Sequence, residues 1–551
     1  MRASLTRRAT RAGRSPVQLS ATDTTFLLQE RDGAHMHIGG VAVFEGPPPG
    51  HEQLRQHISE RLALVPRFRQ RLAQPPLALS RPWWVDDPRF NLDYHLRRVA
   101  LPHPGEPGEL KALIGRVFSQ RLDRSKPLWE MYVVEGLANG GFALITKAHH
   151  ALVDGVSGVD LASVIMDVRP EPEPVSGGVP FERHPAPSAA ELTARSLAHH
   201  LRLPLSLVEY AAGAALYPRR IPRTLARLGS AAGSIAWELL NPAPAAPLNG
   251  EIGPHRRYDY RDLEFARLHA IKRHYQATIN DVVLALVTGA LRRWLLGRGV
   301  CTEGLELRAL VPVNLRSREE RGLLGNRVAL LRAALPVYAE RPEQQLLLVR
   351  EQMRKAKRSR QLMAAQTIIG LSDFAPPTIL AQASRLNFST RLFNLIVTNV
   401  PGPQFPLYLL GRELRSVAPI AFLPAGHALS IAVFSYNGLL SFGLLGDYDR
   451  LHDLEVLGDG LEACLDELMA GVAADGGAEA RAGVRAAAGA EAGAGARAAA
   501  EAEAGAGVGA AAEAEAGDHL ELDRLLAANL KLEPVAGRRG RPEAAEPFAG
   551  R

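Results

Sequence analysis

The chain has 551 residues, which is more than one ordinary domain and enough for two sizeable cores with further segments. Hydrophobic residues make up 46% and charged residues 22%, a composition typical of soluble globular proteins, and no apolar run reaches the ~18 residues of a transmembrane helix. The net charge of +7 is spread thinly, without clusters of Lys and Arg interleaved with aromatic residues, so nucleic acid is not an expected partner. The two cysteines, Cys301 and Cys464, are too few for a disulfide framework or a Cys-rich metal site, and a cytoplasmic location is expected.

The first 16 residues form a basic arm that contains several arginines and no acidic residue. The arm lacks the apolar region that a secretory signal requires. A short disordered arm is the favoured interpretation, and a transit peptide stays open.

Residues 17–170 predict a mixed α/β domain, because short strand-like runs alternate with segments of helical periodicity. The predicted strands are Ile38–Glu45, Met131–Glu135 and Phe142–Lys147, and the predicted helices are Glu52–Leu64, Gly108–Arg121 and Val156–Val168. A change of composition then marks a linker at 171–250, which opens with a stretch rich in Pro and Gly at 170–187. From 189 to 240 the linker has the pattern of basic amphipathic helices. Two interpretations remain for these helices, packing across the two domains or lying on a membrane surface.

A second α/β domain is predicted at 251–471. Its long helix, Ile279–Leu296, starts after Thr278, and Asp281 three residues later completes a pattern that resembles a capping box. The predicted strands are Arg308–Val313, Leu395–Asn399, Leu429–Tyr436 and Leu440–Leu445. Residues 472–551 are a low-complexity tail of Ala, Gly and Glu, expected to be disordered or transiently helical, with one short helix possible at 518–532.

The segment KAHHALVDGVSG at 147–158 contains the pattern H-H-x-x-x-D-G, with His149, His150, Asp154 and Gly155. A predicted strand ends at the two histidines, so their imidazoles emerge where a rigid element meets open space. Histidine titrates near neutral pH and can take a proton from a hydroxyl group as its oxygen attacks a carbonyl. Asp154 can organise the following turn, and Gly155 lets the backbone approach a substrate.

The two histidines allow other interpretations besides a general base. Zinc binding is disfavoured, because neighbouring strand residues point to opposite faces and no H-E-x-x-H pattern or Cys ligand lies nearby. A structural role for both histidines stays open. A serine nucleophile of the G-x-S-x-G type and the usual nucleotide-binding loops are missing from the sequence.

From about Leu19 to Leu468 the chain resembles the bacterial bifunctional wax ester synthase/diacylglycerol acyltransferase family, within the CoA-dependent acyltransferase superfamily. The resemblance depends on short motifs that recur in a fixed order along both predicted domains. They are Leu19-Ser20 with Asp23 and Phe26, Met36-His37-Ile38-Gly39, Pro127-Leu128-Trp129-Glu130, His149 to Gly155, Asn280-Asp281, Pro312-Val313-Asn314-Leu315-Arg316, Gly325-Asn326-Arg327, Thr398 to Pro403 and Ser435-Tyr436-Asn437-Gly438.

The resemblance implies two α/β domains like those of chloramphenicol acetyltransferase, joined by a helical linker, with a tunnel between them. It implies that His150 is the general base, acting without an acyl-enzyme, with acyl-CoA as co-substrate and no other cofactor or metal. Asp154 is expected to be structural, with Arg316 as a candidate partner. Asn280 and Asp281 either contact substrate or merely begin a helix, and both interpretations stay open.

The resemblance further implies that Pro127, Leu128 and Trp129 shape the acyl or acceptor channel, since apolar side chains have no proton to move. The expected partners are acyl-CoA and a diacylglycerol or fatty alcohol, with peripheral contact to a membrane or lipid droplet. Two alternatives remain. One is an acyltransferase with another donor or acceptor, and the other is a catalytically weak lipid-binding or lipid-droplet protein.

Overall fold

The computed structural model describes residues 16–30, 33–76, 80–153, 164–172, 185, 187–198, 240–314, 328–358, 382 and 385–494. In the first half of the chain, strands and helices alternate as a mixed α/β pattern predicts. The elements are β1 (Val17–Gln18), α1 (Ala21–Gln29), β2 (His37–Phe44), α2 (His51–Arg61), β3 (Gln70–Ala73), β4 (Trp83–Asp86), α3 (Leu92–His95), β5 (Leu96–Ala100), α4 (Pro107–Ser119), β6 (Trp129–Glu135) and β7 (Phe142–His149), with 3₁₀ turns at Leu62–Leu64 and Pro66–Arg69.

The second half of the chain contains longer helices and another set of strands. They are β8 (Arg256–Glu264), α5 (Phe265–His274), α6 (Ile279–Gly297), β9 (Leu307–Asn314), β10 (Val328–Leu335), α7 (Pro342–Arg358), β11 (Leu395–Pro401), β12 (Tyr408–Leu409), β13 (Arg412–Ile420), β14 (Leu429–Tyr436), β15 (Leu439–Asp447) and α8 (Leu454–Ala494).

Two six-stranded sheets organise these elements. The N-terminal sheet has the order β12-β13-β2-β7-β6-β5, and the C-terminal sheet has the order β10-β9-β11-β14-β15-β8. Both are mixed sheets, since β5 runs parallel to β6 in the first and β11 runs parallel to β9 and β14 in the second. A small antiparallel sheet, β1-β4-β3, lies beside them. The expectation of a two-domain α/β fold is therefore confirmed.

The N-terminal sheet includes a strand from the second half of the chain. Strand β13 pairs with β2 in antiparallel register, with Ala418 opposite Val41. Not all strands of the predicted domain at 251–471 therefore belong to its own sheet, because residues 408–420 complete the sheet of the other domain. Short motifs cannot reveal such an exchange, since strand pairing is set by tertiary contacts.

Strand β7 lies in the middle of the N-terminal sheet, between β2 and β6. Its alternate side chains enter two different hydrophobic cores, with Phe142 and Leu144 on one face and Ala143 and Ile145 on the other. A strand that is covered on both faces is apolar throughout, which explains why this segment reads as a continuous apolar run. The strand is thereby held rigidly up to its last residue, His149.

Several sequence predictions agree closely with the described elements. Helix α6 begins after Thr278, whose hydroxyl accepts a hydrogen bond from the Asp281 backbone at 3.3 Å. The Asp281 carboxylate accepts one from the Thr278 backbone at 2.9 Å, so the capping box is confirmed. The predicted helix at 156–168 lies almost wholly outside the described residues, as do the linker residues 199–239.

Helix α8 extends past the predicted domain boundary at residue 471 and ends at Ala494. Its side chains pack on the core as far as Leu468 and Val472, close to that boundary. Residues 495–551, with the predicted short helix at 518–532, lie outside the described residues. In the part of the chain that the structure describes, none of the helices is both long and apolar enough to span a membrane.

Candidate active site

Backbone hydrogen bonds from both neighbouring segments fix the two histidines of the H-H-x-x-x-D-G motif. The backbone N–H of His149 donates to the Leu128 carbonyl at 2.9 Å, and that of His150 donates to the Met36 carbonyl at 2.8 Å. Since Leu128 precedes β6 and Met36 precedes β2, the end of β7 is anchored on both sides. His149 is the last residue of the strand, and His150 begins the turn that follows.

The side chain of His149 is buried in a polar cluster. Its Nδ1 accepts a hydrogen bond from the Ala151 backbone N–H at 3.0 Å. A ring nitrogen that accepts is unprotonated, so the hydrogen of the imidazole is on Nε2. That nitrogen lies 3.6 Å from Oε2 of Glu30.

Glu30 is the centre of this cluster. Its Oε1 lies 3.3 Å from Nε2 of His37, and its Oε2 accepts from Nη2 of Arg124 at 2.6 Å. Burial tends to raise the pKa of Glu30, but the neighbouring His149 and His37 more than offset it and hold the pKa well below its usual range. Burial lowers the pKa of His37 to about 3. The cluster therefore places a carboxylate with a lowered pKa beside Nε2 of His149.

His150 has a different, apolar environment. Its ring stacks on Phe26 with a centroid distance of 3.9 Å and an interplanar angle of 19°, and it meets the ring of Phe422 edge-on at 5.4 Å. Burial lowers the pKa of His150 to about 4. The ring is thus neutral at neutral pH and able to accept a proton. Its Nδ1 is buried and has no hydrogen-bond partner among the described residues.

Helix α1 supports both histidines. Ser20 caps its N-terminus by accepting from the Asp23 backbone at 3.0 Å. Phe26, in the middle of the helix, carries the stacked His150 ring, and Glu30, its C-cap residue, faces His149. One short helix therefore sets the orientation of one imidazole by stacking and that of the other by charge.

An open cleft of about 340 Å³ lies beside the histidine motif. Ala151, the residue after His150, forms part of its wall. The other lining residues come from the N-terminus of α1 and from the small sheet with its preceding turn, namely Val17, Gln18, Leu19, Ser20, Asp23, Arg67, Arg81 and Trp84.

The segment Pro127 to Trp129 occupies a supporting position. Leu128 is fully buried, and the Trp129 indole N–H donates to the Phe68 carbonyl at 2.7 Å while its ring stacks on His95 at 4.5 Å. Neither residue lines the cleft described above. The apolar segment packs the core and holds the end of β7, and its predicted contact with substrate stays a prediction.

The structure does not bring all predicted site residues together. Asp281 lies in the capping box of α6, and no hydrogen bond, ion pair or ring contact joins it or Asn280 to either motif histidine within the described residues. Substrate contact by these two residues stays a prediction. Asp154, Gly155 and Arg316 lie outside the described residues, so their proposed pairing and roles remain untested.

Sequence reasoning did not assign roles to Glu30, Phe26, His37 or Phe422. Phe26 and His37 lie within the ordered motifs, and that signal could have drawn attention to them. Glu30 precedes His149 by more than one hundred residues, and Phe422 follows the crossing strand β13. Their proximity to the motif depends on how α1 and β13 pack, which a single sequence does not show.

Comparison with known proteins identifies the family. Family models match in both halves of the chain, the wax ester synthase/diacylglycerol acyltransferase catalytic domain at 19–283 and the WS/DGAT C-terminal domain at 324–469. The diacylglycerol O-acyltransferase tgs1 of Mycobacterium tuberculosis strain H37Rv is 34% identical over 456 residues, covering 82% of this chain and 96% of that protein. The tgs2 protein of the same strain is 33% identical, covering 81% of this chain and 97% of its own length.

One solved structure agrees with this assignment, and a second shares the fold. The wax ester synthase/diacylglycerol acyltransferase of Marinobacter aquaeolei VT8 superposes with a TM-score of 0.57 at 29% identity, covering 83% of this chain and 100% of its own. The first condensation domain of the calcium-dependent antibiotic synthetase, at 19% identity and a TM-score of 0.51, shares the fold over 83% of this chain and 96% of its own. The chain therefore belongs to the wax ester synthase/diacylglycerol acyltransferase family and is an acyltransferase.

Proposed function

We propose that this chain transfers a long-chain acyl group from acyl-CoA to the hydroxyl group of a diacylglycerol, a long-chain alcohol, or both. The observation that carries the proposal is the environment of His150, a neutral imidazole held among apolar rings at the end of a rigid strand. The names of the relatives support the two acceptor classes.

In the proposed reaction, a ring nitrogen of His150 takes the proton of the acceptor hydroxyl while its oxygen attacks the thioester carbon. The resulting tetrahedral intermediate carries a negative oxygen, and each hydrogen bond to that oxygen is worth about 3 kcal/mol. Collapse breaks the carbon–sulfur bond, and the proton moves from His150 to the sulfur of CoA. The products are an ester and free CoA, and no acyl-enzyme is formed.

The buried cluster beneath His149 fits a supporting role in this scheme. The Ala151 backbone bonds to His149, so the ring of His149 helps to set the turn that contains His150. Glu30 and Arg124 keep that ring in place from below. We assign proton transfer to His150 and positioning to His149, with acyl-CoA as co-substrate and no further cofactor or metal.

Peripheral contact with a membrane or a lipid droplet is also part of the proposal, because both expected acceptors are lipids. The linker at 189–240 contains more arginines than glutamates, and a described part of it, 189–198, is helical. If these arginines mediate contact, flotation with anionic vesicles should weaken as salt rises. Flotation that resists salt would instead indicate hydrophobic anchoring.

The deciding experiment measures CoA release from palmitoyl-CoA by the purified full chain, with diacylglycerol or hexadecanol offered separately. The His150→Ala variant is assayed beside it. We expect release that depends on an acceptor and falls by at least about 10² in the variant, because the general base is lost. No release with either acceptor from folded protein would overturn the proposal and favour another donor or a lipid-binding role.

A further inference from the structure

Three phenylalanine rings, from three separate segments of the chain, form a continuous aromatic wall beside His150. Phe26 comes from α1, Phe422 follows β13, and Phe388 lies in the segment before β11. Phe26 and Phe422 meet at 5.7 Å, while Phe388 lies 5.9 Å from Phe422 and 6.4 Å from Phe26, measured between ring centroids.

The three rings differ in their relation to the imidazole. Phe26 and Phe422 contact the ring of His150 directly, so replacing either one also changes the position of His150. Phe388 forms no ring contact with His150 among the described residues and packs on the other two rings. It is half-buried, as Phe26 is, and it lies one ring further from His150 than Phe26 and Phe422 do.

This position suits the exclusion of water from the base. A neutral imidazole that takes a proton from a lipid hydroxyl can equally take one from water, and water is far more concentrated than any lipid acceptor. Closed, apolar sites prevent such side reactions. The outer ring contributes to closure without contributing to the orientation of the base.

We infer that Phe388 is a specificity-determining residue that keeps water away from His150, so that the acyl group is transferred to a lipid hydroxyl rather than to water. The inference rests on the acyl transfer proposed above. In the reaction that Phe388 suppresses, the oxygen of water attacks the thioester carbon as His150 takes a proton. The carbon–sulfur bond then breaks, the proton moves to sulfur, and the products are a fatty acid and free CoA.

The test compares Phe388→Ala with the unchanged chain, using palmitoyl-CoA with hexadecanol and measuring both palmitic acid and ester. We expect the ratio of acid to ester to rise on the order of tenfold, because a gap in the apolar wall admits water. Phe388→Leu keeps apolar bulk and should raise the ratio by about threefold. If a thermal melt shows that Phe388→Ala does not fold, Phe388→Leu serves as the test variant.

Two controls separate water exclusion from general damage. Phe90 is another half-buried phenylalanine, stacked on His95 at 5.3 Å, and Phe90→Ala should leave the ratio unchanged. Adding His150→Ala to Phe388→Ala should abolish the extra hydrolysis, because the same base activates water.

An unchanged ratio in a folded Phe388 variant that still makes ester would overturn the inference alone. Extra hydrolysis that persists without His150 would also overturn it, since water would then be activated elsewhere. By contrast, an unchanged chain that makes no ester from either acceptor would overturn the proposed function itself, and the inference with it.

Discussion

Two histidines, one near each six-stranded sheet, have similar pKa values and ring contacts but different roles. His150 follows β7 of the N-terminal sheet, and His427 precedes β14 of the C-terminal sheet. Burial lowers the pKa of each to about 4, and each stacks on a phenylalanine, Phe26 at 3.9 Å and Phe393 at 4.2 Å. Judged by pKa and stacking alone, the two are equivalent candidates for a general base.

Their hydrogen bonds distinguish them. His427 is fully buried, and its two ring nitrogens each lie 3.1 Å from a backbone carbonyl, that of Ala425 at Nδ1 and that of Phe393 at Nε2. His150 is only half-buried, and its Nδ1 has no hydrogen-bond partner among the described residues. A shifted pKa therefore marks a functional histidine only when the ring can also reach a substrate. His427 holds the segment before β14 to the start of β11, and His150 remains available for chemistry.

The sharpest test of this contrast compares His150→Ala with His427→Ala. Activity per folded molecule should fall by at least about 10² for His150→Ala, with little change in melting temperature. For His427→Ala we expect the opposite, a free energy of unfolding lower by about 1–3 kcal/mol and activity retained, because a buried backbone carbonyl loses its hydrogen-bond donor. Initial rates normalised to folded protein, beside thermal melts, measure both. Comparable losses of activity in the two variants would contradict the different roles assigned to His150 and His427.

The neighbouring histidine provides a smaller effect. His149→Ala removes the acceptor for the Ala151 backbone N–H and loosens the turn that contains His150. We expect kcat to fall on the order of tenfold, less than for His150→Ala, because positioning is weakened while the base remains. Steady-state kinetics with palmitoyl-CoA and hexadecanol check this. If both variants lost activity equally and almost completely, the assignment of separate roles would be wrong.

Glu30 contacts His149 and is therefore further from the reacting atoms than His149 itself. Glu30→Gln keeps the shape of the side chain but removes the charge that faces His149, His37 and Arg124. We expect a loss of about threefold to tenfold in kcat with KM little changed, since the substrate is not contacted. Glu52→Gln, on the exposed face of α2, is the matched control and should have no effect. A change confined to KM would point to substrate binding by Glu30 and contradict positioning.

Much of the fold follows from the sequence because local rules decide it. The sequence predicts strand β14, for example, with its observed bounds, and the capping box of α6 requires only Thr278 and Asp281. It also predicts that the histidine motif lies at a strand end, because an apolar run stops there. These features depend on neighbours in the chain, which a single sequence displays.

The remaining features depend on contacts between distant segments. The transfer of β13 into the other sheet brings Phe422 to His150, and the packing of α1 brings Glu30 beneath His149. The interpretation of Pro127 to Trp129 as a channel wall shows the same difficulty, since an apolar segment reads identically whether it lines a channel or fills a core. Periodicity and motifs indicate which residues are apolar or reactive, but tertiary packing determines what they touch.

The smallest expected effect concerns pH and comes directly from the lowered pKa of His150. A base must be unprotonated, so kcat/KM should fall as pH drops below the pKa, which burial lowers to about 4 for His150 from the usual 6.5 of a histidine. Between pH 7.5 and pH 5.5 we therefore expect less than about a twofold change, whereas a base of ordinary pKa would lose about tenfold.

Stability behaves differently over this range and must be checked separately. His150 and His427 bind protons more weakly when folded than when unfolded, so their stabilising contribution is complete above about pH 6.5 and declines as pH falls toward 4. Initial rates should accordingly be taken at pH values where circular dichroism shows the folded state. A tenfold decline in kcat/KM by pH 5.5 in folded protein would mean that His150 is well solvated in the free enzyme, and that closure by the aromatic wall follows substrate binding.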